Sequence, residues 1–277
     1  MPGIKDFRGK VVVITGAGSG IGRATALAFA QEGADLVLAD IHGDRLEETA
    51  GVVSAKGVRV ITRQVDVADK SQVDALAAFT LAERGHVDIL FNNAGVGVAG
   101  TLVDTDLADY EWIFSVNYWG VLYGLKAFLP HMIERRYGHV VNTASAAGLC
   151  ALPNMSAYCS TKFAVVGLSE VLRAEVRRYG IGVSTICPGM INTRIVADTR
   201  MHVRATYRAK REILVDFYRR FGWPPERVAK AVLSAVRHNR SVVPVGPEVW
   251  LQWFTKRLSQ KMQDATIDIG GRFLMGS

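Results

Sequence analysis

Short apolar runs rich in β-branched residues recur along the chain, and between them lie longer stretches whose apolar positions return every three or four residues. The runs at 11–15, 35–39, 58–64, 87–91, 139–143, 182–187 and 241–245 read as strands, and the stretches at 20–32, 43–56, 70–84, 106–136 and 156–179 read as helices. Gly33, Gly57, Gly138 and Gly180 each stand where a helix ends before a strand begins. Strictly alternating strands and helices predict an α/β fold with a doubly wound parallel sheet. Right-handed crossovers then place helices on both faces, and a ligand site at the carboxyl ends of the strands where strand order reverses. There is no internal repeat or low-complexity segment. At 277 residues, 49% hydrophobic and 21% charged, the chain reads as one globular domain spanning 1–277.

The first predicted strand, Val11 to Thr15, runs into Gly16-Ala17-Gly18-Ser19-Gly20-Ile21-Gly22 and then a helix. Strand, glycine turn and helix start together let a backbone approach a pyrophosphate, with free N–H groups and the helix dipole favouring its charge. The spacing Gly16-x-x-x-Gly20-x-Gly22 departs from the common G-x-G-x-x-G. At the end of the second strand stands Asp40, where a carboxylate bonds the adenosine ribose and repels a 2′-phosphate, so NAD is favoured and NADP is less expected. Arg45, one helical turn on, is the one nearby feature that points the other way.

Further along, Tyr158 and Lys162 share one face of a predicted helix, thirteen residues after Ser145. The ammonium is expected to favour the phenolate, lowering a phenol from its usual ~10 so that Tyr158 can exchange a proton with a carbinol oxygen. Ser145 would hydrogen-bond that oxygen, and hydride would move to or from a nicotinamide.

The chain resembles the short-chain dehydrogenases/reductases, in their single-domain form, from about Lys10 to Val245. Thr15, Gly16, Ser19, Gly20, Ile21 and Gly22 are similar to that family's glycine motif, and Asp66-Val67 to its adenine-contacting pair. Asn93, Ala94 and Gly95 resemble the segment beside the cofactor, and Pro188, Gly189 and Thr193 the nicotinamide-side loop. Ser145, Tyr158, Lys162 and Asn117 match the catalytic positions, the last positioning a relay water. The resemblance implies seven strands in the order 3-2-1-4-5-6-7. It also implies a substrate lid over about 190–225, and a homodimer or homotetramer pairing the helices at 106–136 and 156–179. Small residues Ala157, Ala164 and Gly167 would allow that close packing.

Charge adds one feature. The net charge is +7, and from Arg200 to Lys261 there are 14 Lys/Arg against 4 Asp/Glu. Arg200, Arg204, Arg208 or Arg211 could steer an acidic substrate. A basic extension at about 246–277 carries Leu251, Phe254, Leu258 and Met262 on one stripe. That pattern is compatible with peripheral membrane association, though packing on protein is the favoured reading. Ile195, Val196, Met201, Val203, Tyr207, Ile213, Leu214, Phe217 and Tyr218 of the lid, facing Leu149 to Pro153, suggest a lipophilic alcohol or ketone, steroid-, terpenoid- or long-chain-like. No nucleic-acid module accompanies the charge. Cys150, Cys159 and Cys187 lack metal-ligand spacing, so no metal is expected. With neither a secretory signal nor a membrane span in view, a cytoplasmic enzyme is the expectation. The competing readings are a dinucleotide-responsive binding protein and a ketoacyl reductase for carrier-bound chains.

Overall fold

The computed structural model describes residues 2–202 and 208–264. Val203, Arg204, Tyr207, the side chains of Arg208 and Arg211, and everything beyond 264 lie outside the described residues. Nine strands and ten helices follow one another along the described residues. They are β1 (Val11–Thr15), α1 (Gly20–Gln31), β2 (Asp35–Asp40), α2 (Gly43–Ser54), β3 (Val60–Gln64), α3 (Lys70–Arg84), β4 (Ile89–Asn92), β5 (Val98–Gly100), α4 (Leu107–Phe114), α5 (Gly120–Arg135), β6 (Gly138–Thr143), α6 (Ser156–Val176), β7 (Ile181–Pro188), α7 (Ile195–Asp198), β8 (Arg200–His202), α8 (Arg208–Phe221), α9 (Pro225–His238), β9 (Val242–Val245) and α10 (Pro247–Leu258).

Seven strands form one sheet in the order β3-β2-β1-β4-β6-β7-β9, every pairing parallel. Counting sheet members alone, this is the expected 3-2-1-4-5-6-7. Successive strand side chains point to opposite faces, and the sheet has a core on each. Val12, Ile14, Leu36 and Leu38 pack with Phe29 of α1 and Val228 and Val232 of α9. Val11, Val13, Val37 and Ala39 face the other way, with Leu76 of α3, Phe128 of α5 and Val165 of α6. Burial on both faces explains why these strands are apolar throughout rather than alternating.

Two departures from the sequence pattern matter for the site. The stretch 106–136 is not one regular helix: Ser115–Trp119 between α4 and α5 forms a π turn, with Gly120 N–H donating to Ser115 C=O. The extra residue in that turn shifts the helical register between α4 and α5, and such turns often mark functional positions. The second departure is a small parallel sheet, β5 with β8, which ties the segment after β7 to the segment after β4. Three-residue strands carry too little pattern to be read from sequence.

The stripe on α10 is largely exposed among the described residues. Trp250, Leu251, Phe254, Leu258 and the following Met262 are 47–61% exposed. No described helix is long and apolar enough to cross a membrane.

A buried histidine gives the fold an acid sensitivity. His139 of β6 is 1% exposed, and its Nε2 lies 2.8 Å from the Ser184 hydroxyl. Burial, with Arg173 nearby, pushes its pKa down from 6.5 to about 3. Below pH 6.5 the unfolded chain gains a proton that the folded chain refuses, so stability falls as pH drops towards 3. The loss by about pH 4 is on the order of 3 kcal/mol. Urea titrations of wild type and His139→Leu should show a shallower decline in the variant across this window. Equal slopes would contradict the assignment.

Candidate active site

The site forms at the carboxyl edge of the sheet, beside the reversal between β1 and β4. Gly16 and Gly20 have φ values of +65° and +50°, and a side chain on Gly22 would lie 1.9 Å from the Gly16 carbonyl oxygen. Only glycine permits this turn to close so tightly on the start of α1. Ser19, the residue ahead of that helix, makes no side-chain capping bond, which leaves the first helical amides for another acceptor. Ser19 and Ile21 are half-buried beside them, and Thr193 stands over the turn, its Cγ2 3.1 Å from where a Gly20 side chain would begin.

Asp40, 9% exposed, accepts hydrogen bonds from Gly18 N–H at 2.8 Å and His42 N–H at 2.9 Å. Both carboxylate oxygens are thereby anchored, and each keeps a lone pair for a hydroxyl. Arg45 flanks the same carboxylate, its Cβ 3.1 Å from where a Gly18 side chain would start. Asp66 and Val67 follow β3; the Asp66 carboxylate accepts from Ala68 N–H, and Val67 is buried against Gly120. These features fit a dinucleotide: a turn that a Cβ would fill, an uncapped helix start and an anchored acid at the next strand end.

A continuous hydrogen-bond network runs from this turn to the proposed catalytic helix. Asn93 N–H and Ala94 N–H both donate to Thr15 Oγ1, while Asn93 Nδ2 donates to the carbonyls of Thr15 and Gly16. Thr143 Oγ1 donates to Asn93 Oδ1 at 3.3 Å, and Lys162 Nζ donates to the Thr143 carbonyl at 3.1 Å. Thr143 carries no sequence signal, since it is simply the last residue of a strand. A side chain on Gly95 would approach Lys162 Nζ to 3.5 Å and Asn117 Oδ1 to 3.2 Å, so the bare glycine keeps that space open.

Asn117 lies in the π turn and is 0% exposed. Its side chain accepts from Val96 N–H at 2.8 Å and donates to the Val96 carbonyl and to Thr161 Oγ1. Every polar atom of that amide is engaged by protein.

Ser145, Tyr158 and Lys162 do converge. The Ser145 oxygen accepts from Ala147 N–H at 3.1 Å, which leaves its O–H to donate outward. Lys162 Nζ stands 5.6 Å from the Tyr158 ring centre. Among the chain's own groups, burial has the largest effect on the phenol. Burial pushes Tyr158 up to about 12; the Ser145 hydroxyl opposes that shift, and Tyr218 and Cys159 add to it. Burial likewise pushes Lys162 down to about 8. Desolvation is the largest cause for both groups, and the 3% exposed ammonium has one carbonyl partner among the described residues.

The lid differs in detail from its sequence reading. Val196 is buried, and Ile195, Met201, Leu214, Phe217 and Tyr218 are half-buried, but Ile213 turns outward at 67% exposure. Arg200 is committed to structure: it donates to Asp109 at 2.8 Å and lies 3.5 Å over the Trp112 ring. Leu149 and Cys150 belong to the interior, whereas Ala151 to Asn154 line a separate cleft of about 610 Å³ with Leu102, Cys159 and Phe163. That cleft contains neither Ser145 nor Tyr158. Pro188 is buried and Gly189 half-buried where β7 ends, and Glu248, unremarked in the sequence, lies against them. Among the described residues no group of three His, Cys, Asp or Glu could hold a metal.

Comparison with known proteins agrees with this architecture. The family model described as short chain dehydrogenase matches residues 10–204. The chain is 40% identical over 257 residues to the probable oxidoreductase EphD of Mycobacterium tuberculosis, a match covering 91% of the chain but 43% of that relative. It therefore spans less than half the length of EphD. It is also 40% identical over 248 residues to the putative oxidoreductase SadH of the same species, covering 88% of the chain and 89% of the relative. A short chain dehydrogenase/reductase from Burkholderia phymatum, solved in complex with NAD, superimposes with a TM-score of 0.87 at 35% identity, covering 94% of this chain and 97% of that one.

The buried amine predicts a measurable linkage. Between pH 8 and 10.5 the unfolded chain keeps a proton on Lys162 that the folded chain has released, so stability rises with pH across that window. Relative to Lys162→Met, wild type should gain up to about 3 kcal/mol there in denaturant titrations. A difference that stays flat would place the amine in an ordinary aqueous setting.

Proposed function

The chain belongs to the short-chain dehydrogenase family, and we propose that it is an oxidoreductase moving a hydride between NAD(H) and a secondary alcohol or ketone, with Tyr158 exchanging the hydroxyl proton. The observation that carries this reading is the convergence of Ser145, Tyr158 and Lys162 beside an uncapped glycine turn, joined to it through Asn93 and Thr143. Thr15, Gly16, Ser19, Gly20, Ile21 and Gly22 would cradle the pyrophosphate, and Asp40 would hold the adenosine ribose. Asp66 and Val67 would border the adenine. Asp40 at the ribose position supports NAD over NADP, in keeping with the NAD held by the Burkholderia relative.

At the reacting end, Ser145 donates to the substrate oxygen and fixes its distance from Tyr158. Lys162 has one acceptor, Thr143, and its remaining N–H groups suit the hydroxyls of the nicotinamide ribose. NAD bound here supplies the hydride-accepting carbon and, when oxidised, a positive charge. Because burial holds Tyr158 near 12 in the free chain, its phenol is the resting form and suits reduction directly. Oxidation requires that proton to leave, so its rate should rise with pH. Asn117 acts as a positioning residue, fixing Val96 and Thr161 around the pocket. Pro188, Gly189 and Thr193 close the nicotinamide side, with Ala94 and Gly95 opposite.

The substrate is read as lipophilic because Leu214, Phe217 and Tyr218 of the lid are half-buried and Tyr218 stands near enough to Tyr158 to act on its pKa. Tyr158→Phe should lower turnover at least a thousandfold on any accepted alcohol while NAD affinity changes less than threefold. Rates on a panel from short polyols to sterol-like ketones, followed by reduced-nicotinamide absorbance, should favour the apolar members. A preference for polyols would overturn the substrate reading.

Pairing of copies through α4, α5 and α6 is proposed as well. Ala157 cannot contribute, since it is 1% exposed; Gly167, with nothing within 4 Å of an added Cβ, and the 58% exposed Val171 mark the outward face of α6. Light scattering should report a dimer or tetramer. A particle of about 30 kDa at every concentration would contradict pairing.

A further inference from the structure

The carboxylate of Glu248 occupies a place that no motif assigns. It sits in the first turn of α10, outside the span matched by the family model, and points back under the end of β7. Two glycines make room for it: a side chain on Gly189 would lie 2.2 Å from Glu248 Oε1, and one on Gly246 would lie 2.3 Å from it. Met190 N–H faces Oε1 and Trp223 Nε1–H faces Oε2, each at 3.4 Å. Those contacts are long and weak. Trp223 is joined in turn to Met190 and Asn192 by backbone hydrogen bonds, so one carboxylate touches the nicotinamide-side loop, the end of the lid and the C-terminal helix.

Among the described residues no lysine or arginine forms an ion pair with it. Arg227 is engaged elsewhere, stacked on the Trp223 ring at 3.9 Å. A half-buried carboxylate without a cationic partner is a position where added positive charge is favoured. The loop it underlies, Pro188 to Met190, is the one read above as flanking the nicotinamide, a ring that is cationic when oxidised and neutral when reduced.

We propose that Glu248 is a positioning residue that biases the site electrostatically towards the oxidised cofactor, so that this chain holds NAD⁺ more tightly relative to NADH than it would without the charge. The proposal rests on the dehydrogenase reading and adds a direction to it. At an effective dielectric of about 20, a unit charge roughly 8–15 Å from the ring alters the affinity ratio by roughly six- to thirtyfold.

The test is equilibrium binding of NAD⁺ and of NADH, measured separately by calorimetry on the full chain, with Glu248→Gln and Glu248→Asp beside wild type. The glutamine variant keeps the shape and removes the charge; NAD⁺ affinity should fall at least threefold while NADH affinity changes less than twofold. The aspartate variant keeps the charge, and its ratio should stay within twofold of wild type even if both affinities drop. Equal losses for the two nucleotides in Glu248→Gln, or no change in either, would overturn the proposal and leave Glu248 as packing alone. A wild-type chain that bound neither nucleotide would sink the dehydrogenase reading first.

Discussion

Burying Lys162 with a single carbonyl for a partner is the constraint around which this site is arranged. At 3% exposure the ammonium has lost most of its water, and the Thr143 carbonyl returns only part of that solvation. The same dry surroundings hold Tyr158 in its neutral form. Burial therefore disfavours the charged form of both groups, and hydroxyls around the amine with a cation beside the phenol would offset that cost.

What allows so costly a pair to persist is the packing of α6 against the sheet. Asn92 Nδ2 donates to Asn142 Oδ1, Asn142 Nδ2 donates to Ser169 Oγ, and Ser169 Oγ donates to the Val165 carbonyl. This buried ladder ties β4, β6 and α6 in one register, because an amide shifted by one position would leave its partners unpaired. Gly124 of α5 leaves space for the Asn92 side chain, whose Oδ1 would lie 2.4 Å from a Cβ there. Lys162 and Tyr158 project from the same helix, about one and two turns before Val165, the first α6 residue that the ladder grips. Their geometry is thus set by groups that touch no substrate.

The sheet was legible in the sequence because parallel strands buried on both faces must be apolar along their whole length, and the glycine turn because only glycine fits its close approaches. Ser145, Tyr158 and Lys162 were legible as a pattern. Their electrostatic state was not: helical spacing shows that two side chains share a face but says nothing of the water they lose. Asn117 shows the same limit, since its place in the sequence drew notice while its amide turned out to be spent on Val96 and Thr161. The pairing of β5 with β8 and the place of Glu248 were invisible for a different reason. Each depends on contacts between segments tens of residues apart, with no local periodicity to announce them.

The segment after β7 illustrates how such contacts turn a stretch of weak pattern into a defined wall. Its near end is held by Gly189 N–H on the Val245 carbonyl and by Trp223 exchanging backbone bonds with Met190 and Asn192. Farther along, Thr199 fits where Gly97 has no side chain, and Arg200 N–H donates to the Gly97 carbonyl. The Arg200 guanidinium then lies flat on Trp112 while it pairs with Asp109 of α4, which is 7% exposed. A planar cation stacked and paired in this way is a better fastener than a lysine would be. The basic character of this region therefore has more than one origin. Arg200 is structural, Arg227 covers Trp223, and only the remaining exposed arginines are left to shape the field that an incoming ligand meets.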